Sequence, residues 1–409
     1  MVPSGWKRKS INDIATVSSG GTPSRKNESY WNGSIPWVTT AEVHFGTIIN
    51  SAQKITDEGL SNSSAKLFPI DTILIAMYGQ GKTRGQVAKL GIEATTNQAC
   101  AAIILKNDCN VDFYFQYLKS QYENIRDLSN SGGQENLSGG IVKSIQVPVP
   151  PLPEQQKIAQ ILNTWDKAIS TTESLIANSQ QQKKSLMQQL LTGKKRFAGF
   201  EGEWEEIKFN DIVLSTQLGT TDRHKGESVK QGVPLLKMGN LTWGGFLFNS
   251  LEILPKNKLE ESLLLKSGDF LFNTRNTPEL VGKSAVWKGQ LTKATFDNNI
   301  NRIIFVETID PSFICVLLTT GKGKSLIRSL SAGSTSVAAI YWKDLKSIKF
   351  KVPSLPEQQK IASALTAADQ EIDTLQQKLT HLKQEKKALM QQLLTGKRRV
   401  KVDNETEAA

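Results

Sequence analysis

The sequence predicts a mixed α/β protein of two tandem globular domains, each followed by a long helix. The two helices are expected to pair as an antiparallel coiled coil, with the halves related by pseudo-twofold symmetry. Three observations carry this. The segment from Leu152 to Arg196 (LPEQQKIA…LMQQLLTGKKR) recurs from Leu355 to Arg399 (LPEQQKIA…LMQQLLTGKRR), with 25 of 45 positions identical at a constant offset of 203. Unrelated segments share only a few positions, so the chain carries an internal duplication. Both copies space apolar residues alternately four and three apart, and fainter echoes of the duplication precede each helix.

The helix boundaries are written in the repeats. Pro153 and Pro356 suit a first helical position, where no N–H is needed, and Glu154 and Glu357 face the positive end of the dipole. Leu152 and Leu355 are poor N-caps, so the start rests on proline. Gly193 and Gly396, each followed by three basic residues, are stop signals. In the first copy the seam runs Ile158, Leu162, Trp165, Ile169, Thr172, Ile176, Ser179, Lys183, Leu186 and Leu190. In the second it runs Ile361, Leu365, Ala368, Ile372, Leu375, Leu379, Leu382, Lys386, Leu389 and Leu393. That heptad spacing is the mark of a two-helix coiled coil, whereas a helix lying on a core shows a broader apolar face. The polar positions Thr172, Ser179 and Lys183 fix register and partner rather than add stability. Antiparallel pairing follows because a similar globular domain precedes each helix, and only that arrangement relates the halves by a pseudo-twofold axis.

The fainter echoes set the domain plan. Trp6 through Asn12-Asp13-Ile14 returns as Trp204 through Asn210-Asp211-Ile212, at an offset of 198. Ala94-Thr95 and Ile103-Ile104 match Ala294-Thr295 and Ile303-Ile304 at 200. The drift fits small loop insertions. The boundaries are residues 1–150 and 197–352 for the globular domains, 151–196 and 353–400 for the helices, and 401–409 for a disordered acidic tail. Within the domains, Thr72 to Ala76, Ala101 to Leu105, Asp269 to Phe272 and Arg302 to Val306 read as buried strands. Phe113 to Leu128 and Pro311 to Leu330 read as helices, the second interrupted by Gly321 and Gly323. The proline-rich Val147 to Pro153 reads as a stiff extended hinge, and Trp37, within an apolar run, as core.

Composition narrows the chemistry. Three cysteines, irregularly spaced, suggest neither disulfides nor a metal site, as expected of a reducing cytoplasm. The N-terminus has no signal-peptide pattern and no stretch is long and apolar enough for a bilayer, so a cytoplasmic protein without a membrane partner is expected. A net charge of +11 and a pI near 9.3 favour a polyanionic partner. Ala76 to Thr83 (AMYGQGKT) fits a relaxed phosphate-binding loop, but the following residues are too glycine-punctuated for the helix such a loop needs. With three histidines there is no cluster at metal-ligand spacing, and no nucleophile elbow or dinucleotide fingerprint occurs. The chain is expected to be non-enzymatic, with no catalytic residues, metal or cofactor of its own.

What remains on the loops suits nucleic acid. The first domain offers Thr22, Ser24, Arg25, Lys26 and Tyr30, and Gln80, Lys82, Thr83 and Arg84. The second offers Thr220, Arg223, His224 and Lys225, then Lys237 and Asn240, then Arg275 and Asn276. Arginine and lysine neutralise phosphates or fork onto guanine, and asparagine and glutamine pair with adenine.

On these residues the chain resembles the DNA-specificity subunit of type I restriction–modification systems. The resemblance rests on the repeated LPEQQKIA…LMQQLLTGK segments, the paired Trp-x5-Asn-Asp-Ile openings, and the first-domain wording GGTPSRKNESYWNGSIPWVTTAEV and ATTNQACAAI. It implies that each globular domain is a target-recognition domain reading one half of a split site in double-stranded DNA. It implies that the helices set the spacing and dock two methyltransferase subunits, and that two motor-endonuclease subunits join. S-adenosylmethionine, ATP and magnesium would then belong to those partners. The second domain lacks the GGTPS and ATTNQA wording, as expected if the halves read different sequences.

Overall fold

The computed structural model describes residues 3–79, 81–129, 136–222, 232–334 and 336–402. The duplicated segments form two helices, Leu152–Leu190 and Leu355–Leu393, of 39 residues each, about 58 Å at 1.5 Å per residue. The carbonyl before each helix starts its ladder: Glu154 and Gln155 donate to Pro151, and Glu357 and Gln358 to Ser354. Gly193 and Gly396 then turn left-handed, at φ 68° and 71°, and stop the helices. Gly396 has a second reason to be glycine, since a Cβ there would lie 2.4 Å from Pro3.

The chain folds into two compact units, Met1–Ser174 with Gln376–Ala409, and Leu175–Leu375. The division cuts each long helix near its middle. In the first unit Asp166 meets Lys386 at 2.6 Å and Glu173 meets Lys383 at 2.7 Å, so one partner's number rises as the other's falls. In the second unit Lys183 pairs with Asp369, and Arg196 with Glu357 at 2.6 Å. The helix segments therefore run antiparallel within each unit. All but the Glu173–Lys383 pair recur in the other unit. Asp166 and Lys386 hold the places in their repeats that Asp369 and Lys183 hold in theirs, and Glu154 with Arg399 repeats Glu357 with Arg196. Every such bridge joins one repeat to the other.

Among the predicted seam residues, Ile158, Leu162, Leu190, Ile361, Leu365, Ile372 and Leu393 are buried. Trp165, Ile169, Ile176, Leu186, Leu375, Leu379, Leu382 and Leu389 are half-buried. The helix ends also complete the globular cores. Leu393 and Leu394 pack with Trp6, Phe113, Ile158 and Leu162 in the first unit. Leu190 packs with Phe209, Phe313, Ile361 and Leu365 in the second. The buried Glu154 accepts from Trp6 Nε1 at 3.2 Å and from Arg399 Nε at 2.8 Å.

The described residues of the two units share a sheet plan. In the first, a five-stranded sheet has the order Ala15–Ser19, Cys100–Leu105, Ile73–Ala76, Val87–Leu90, Thr47–Ile48. Beside it Trp31–Val38 lies between Gln53–Ile55 and Thr95–Thr96. The second has Val213–Leu218, Ile300–Phe305, Phe270–Asn273 and Ser284–Val286, with Gly232–Leu236 between Glu252–Pro255 and Thr295–Phe296. The strands expected from apolar runs are present. Ile73–Ala76 and Phe270–Asn273 are buried on both faces, which is why they read as continuous, whereas burial alternates from Arg302 to Phe305.

Three expectations change. The proline-rich segment is no hinge: Gln146–Val149 pairs antiparallel with Lys7–Ser10, an edge ribbon that tolerates Pro148. Phe113 to Leu128 becomes two helices, Val111–Ser120 and Tyr122–Asp127. Pro311 to Leu330 divides at Thr320 into Pro311–Thr319 and Gly321–Ser329, and a Cβ on Gly323 would lie 1.8 Å from the Leu317 carbonyl. The expected tail beyond residue 402 lies outside the described residues.

Lys386 is a seam lysine only 5% exposed, bonded to Asp166 and, at 3.1 Å, to Gln116 Oε1. Burial pushes its ammonium below the ordinary lysine value, and the Asp166 hydrogen bond only partly offsets this. Burial acts to raise the Asp166 carboxyl, yet hydrogen bonds from Lys386 and Gln116 bring it below the usual 3.8. Replacing Lys386 and Asp166 together by apolar residues of similar volume should leave stability unchanged or raise it by about 1 kcal/mol, whereas Asp166→Ala alone should cost about 1–3 kcal/mol, moderated by the solvent around Asp166. The carboxylate's contribution is present above its unfolded pKa and lost as pH falls through the lower folded one. Asp166→Asn should therefore flatten the loss of stability below about pH 4 in urea unfolding at stepped pH.

Candidate nucleic-acid interface

Sheet register gathers the predicted loops at one end of each unit. In the first unit Ser19 lies opposite Ala101, Ala76 opposite Cys100, and Val38 opposite Thr96. The segments that follow Ser19, Ala76 and Val38 therefore leave the sheets beside residues 97–99. Gly21 N–H donates to Thr96 O at 2.8 Å and Met77 N–H to Ala99 O at 2.8 Å. In the second unit Leu218 lies opposite Asn301, Asn273 opposite Ile300, and Leu236 opposite Phe296. Thr220 N–H donates to Phe296 O at 3.0 Å, and Thr274 N–H to Asn299 O at 2.8 Å.

The tightest point of each cluster is a glycine. A Cβ on Gly20 would lie 2.1 Å from Thr96 O, and one on Gly219 would lie 2.1 Å from Phe296 O. Gly20 and Gly219 are the same position in the two units, separated by 199, between the offsets of 198 and 200 that flank them. The motif reading missed Gly219 because the residues after it are Thr-Thr rather than Gly-Thr-Pro-Ser. The drift of the repeat offset was the signal that could have found it.

In the first unit the loop after Gly20 is held from below. Trp37, buried, donates its Nε1–H to Gly21 O at 2.9 Å, and Trp31 donates to Ser24 O at 3.1 Å. Thr22 hydrogen-bonds Gln98 through its hydroxyl. Ser24, Arg25 and Lys26 are exposed and Tyr30 half-buried. The Arg25 guanidinium stacks over Trp31, 3.7 Å from the ring centroid. Lys82 is exposed and Thr83 half-buried, in a turn at 81–85 that leads directly into the strand Val87–Leu90. That turn connects antiparallel strands, so it lacks the strand-to-helix geometry of a phosphate-binding loop. Tyr122 steadies it by donating its hydroxyl to Lys82 O at 2.6 Å.

Several predicted contacts are placed otherwise. Arg84 is 7% exposed and Thr220 3%, so burial takes both off the surface. Asn240 is 5% exposed; its amide donates to Leu247 O at 2.9 Å and its oxygen accepts from Lys237 N–H at 2.9 Å. A side chain read as an adenine partner is thus spent closing a turn. Lys237 pairs with Glu252 at 3.1 Å, Arg275 is exposed, and Asn276 donates to Asn273 Oδ1 at 3.0 Å. Gln80, Arg223, His224 and Lys225 lie outside the described residues.

Among the described residues no group of His, Cys, Asp and Glu is placed to hold a metal ion, and no helix is long and apolar enough to cross a membrane. Burial pushes the Cys100 and Cys315 thiols up to about 12 and Cys109 to about 11, so none offers a thiolate near neutral pH.

Known proteins share this pattern. The family profile described as type I restriction modification DNA specificity domain matches twice, over residues 3–178 and 201–384. The MjaVIII specificity subunit of Methanocaldococcus jannaschii is 28% identical over 98% of this chain and 94% of its own. The EcoR124I/EcoR124II specificity subunit of Escherichia coli is 31% identical over 41% of this chain and 43% of its own. The crystal structure of the S subunit from M. genitalium has the same fold, with a TM-score of 0.62 at 15% identity, covering 96% of both chains.

The glycine crossings generate a structural expectation. Gly20→Ala should cost about 1–3 kcal/mol, because a backbone carbonyl rather than a yielding side chain stands in the way. Gly219→Ala should cost a similar amount. Gly81→Ala, whose Cβ would meet nothing within 4 Å, should cost less despite its φ of 72°. Thermal melting of the three variants measures this.

Proposed function

Because this chain belongs to the type I restriction–modification DNA specificity family and carries its domain twice, we propose that each unit reads one half of a bipartite DNA site. The observation that carries this is the duplicated loop cluster. The same backbone frame, with Gly20 or Gly219 at its crossing, presents different side chains in the two units. A shared frame with divergent surface chemistry is what two readers of different sequences require. The exposed cations Arg25, Lys26, Lys82 and Arg275, with a net charge of +11, suit the phosphate backbone.

In this reading the chain supplies recognition and scaffold, and the chemistry belongs to others. Methyltransferase subunits, two in number, dock on the paired helices, and two motor-endonuclease subunits join them. S-adenosylmethionine, ATP and magnesium are used in those partners, in the cytoplasm where the DNA is. The long helices act as the spacer between half-sites.

Exchanging residues 204–350 for the matching segment of a relative should change one half of the methylated motif and leave the other intact. Sequencing methylated adenines in DNA from cells carrying the hybrid with its partners reads this directly, and movement of both halves or neither would sink the modular reading. Lys82→Ala should weaken binding to all sequences alike and lower the salt slope by about one, the signature of a lost phosphate contact. Binding isotherms at several salt concentrations decide that.

A further inference from the structure

We infer that Arg25 is a base-reading side chain of the first unit, recognising a guanine, and that Trp31 is its positioning residue. This rests on the DNA-reading proposal above and assigns a role within it. The guanidinium carbon lies 3.7 Å from the Trp31 ring centroid and 4.9 Å from that of Trp37, and the two rings meet edge to face at 5.1 Å. Among the described residues Arg25 makes no ion pair or hydrogen bond, and it is exposed.

Stacking uses the flat face of a guanidinium and leaves its N–H edge open. Arg25 thus rests on an aromatic face with its donors uncommitted before any ligand arrives. The platform beneath is itself fixed, since Trp31 and Trp37 are each tied to the Gly21–Ser24 backbone through their indole N–H. The loop therefore has its shape without help from Arg25, so the stack is not needed to build it. A phosphate can also be gripped by an arginine fork, but there a lysine still supplies the charge, which a guanine's paired acceptors do not accept as a substitute. A rigid planar fork matches the paired O6 and N7 acceptors of guanine in the major groove. Pre-ordering also spares the entropy of immobilising a long side chain on binding.

The test uses the full chain and a pool of duplexes of randomised sequence. Bound duplexes are selected and sequenced for the parent and for Arg25→Lys, Trp31→Leu and Trp31→Phe, and the salt dependence of binding is measured on the selected motif. Arg25→Lys keeps the charge and is exposed, so it folds. It should lower the preference for one guanine by about 10–100-fold, with the other positions and the salt slope unchanged. Trp31→Leu should relax the same position, and Trp31→Phe, which keeps an aromatic face, should restore most of it. A uniform loss across sequences in Arg25→Lys would make Arg25 a phosphate contact and overturn the assignment, as would an unaltered motif. An intact guanine preference in Trp31→Leu overturns the positioning role. If the parent enriches no motif at all, the DNA-reading proposal itself fails, and that result is distinct from the others.

Discussion

The structure depends on a reciprocal exchange between repeats. Glu154 sits under Trp6 at the start of the first long helix, and its ionic partner is Arg399 from the end of the second. Glu357 starts the second helix, and its partner is Arg196 from the end of the first. A carboxylate this buried persists only with its countercharge in place. Neither globular domain can therefore satisfy its own helix start with residues adjacent in sequence. Each borrows the other repeat's C-terminal turn, together with the leucines that close its core.

The exchange also explains how a duplicated chain avoids ambiguity. Two identical seams could slide or pair in the wrong sense. Lysine and aspartate at matched depths, Lys386 with Asp166 and Lys183 with Asp369, fix one register and one direction. The two copies are not equivalent, however. Gln116 bridges Lys386 and Asp166 in the first unit, while Val316, three residues after Phe313 as Gln116 is three after Phe113, gives the second no such bridge. The Lys–Asp pair is thus shared by both units, while the glutamine that ties it to the globular domain belongs to the first.

The loop clusters show the same division between frame and content. Gly20 and Gly219 leave room for a carbonyl, and Trp37 beneath the first loop anchors its backbone. Above that frame the residues differ freely. The charge and amide content of the loops pointed toward nucleic acid, but it could not sort contacts from scaffolding. Arg84 and Asn240 had the right chemistry and the wrong exposure. Arg25 had the right chemistry and, stacked on Trp31, an aromatic support that residue type alone does not reveal.

The sequence by itself determined what is local or periodic. Helix length followed from proline, glycine and the heptad, and strand positions from short apolar runs. Antiparallel pairing was expected from the order of the duplicated parts, and the ion pairs within each unit run that way. Tertiary structure decided what depends on distant residues meeting. It made the proline-rich segment a paired edge strand, because Lys7–Ser10 lies beside it. It broke the helix at Thr320 and packed Gly323 against the Leu317 carbonyl, a contact no propensity encodes. It also turned Asn240 inward to backbone groups that only folding brings within reach. Burial and orientation arise from long-range packing, and so the residues that face a ligand become legible only when the chain is folded.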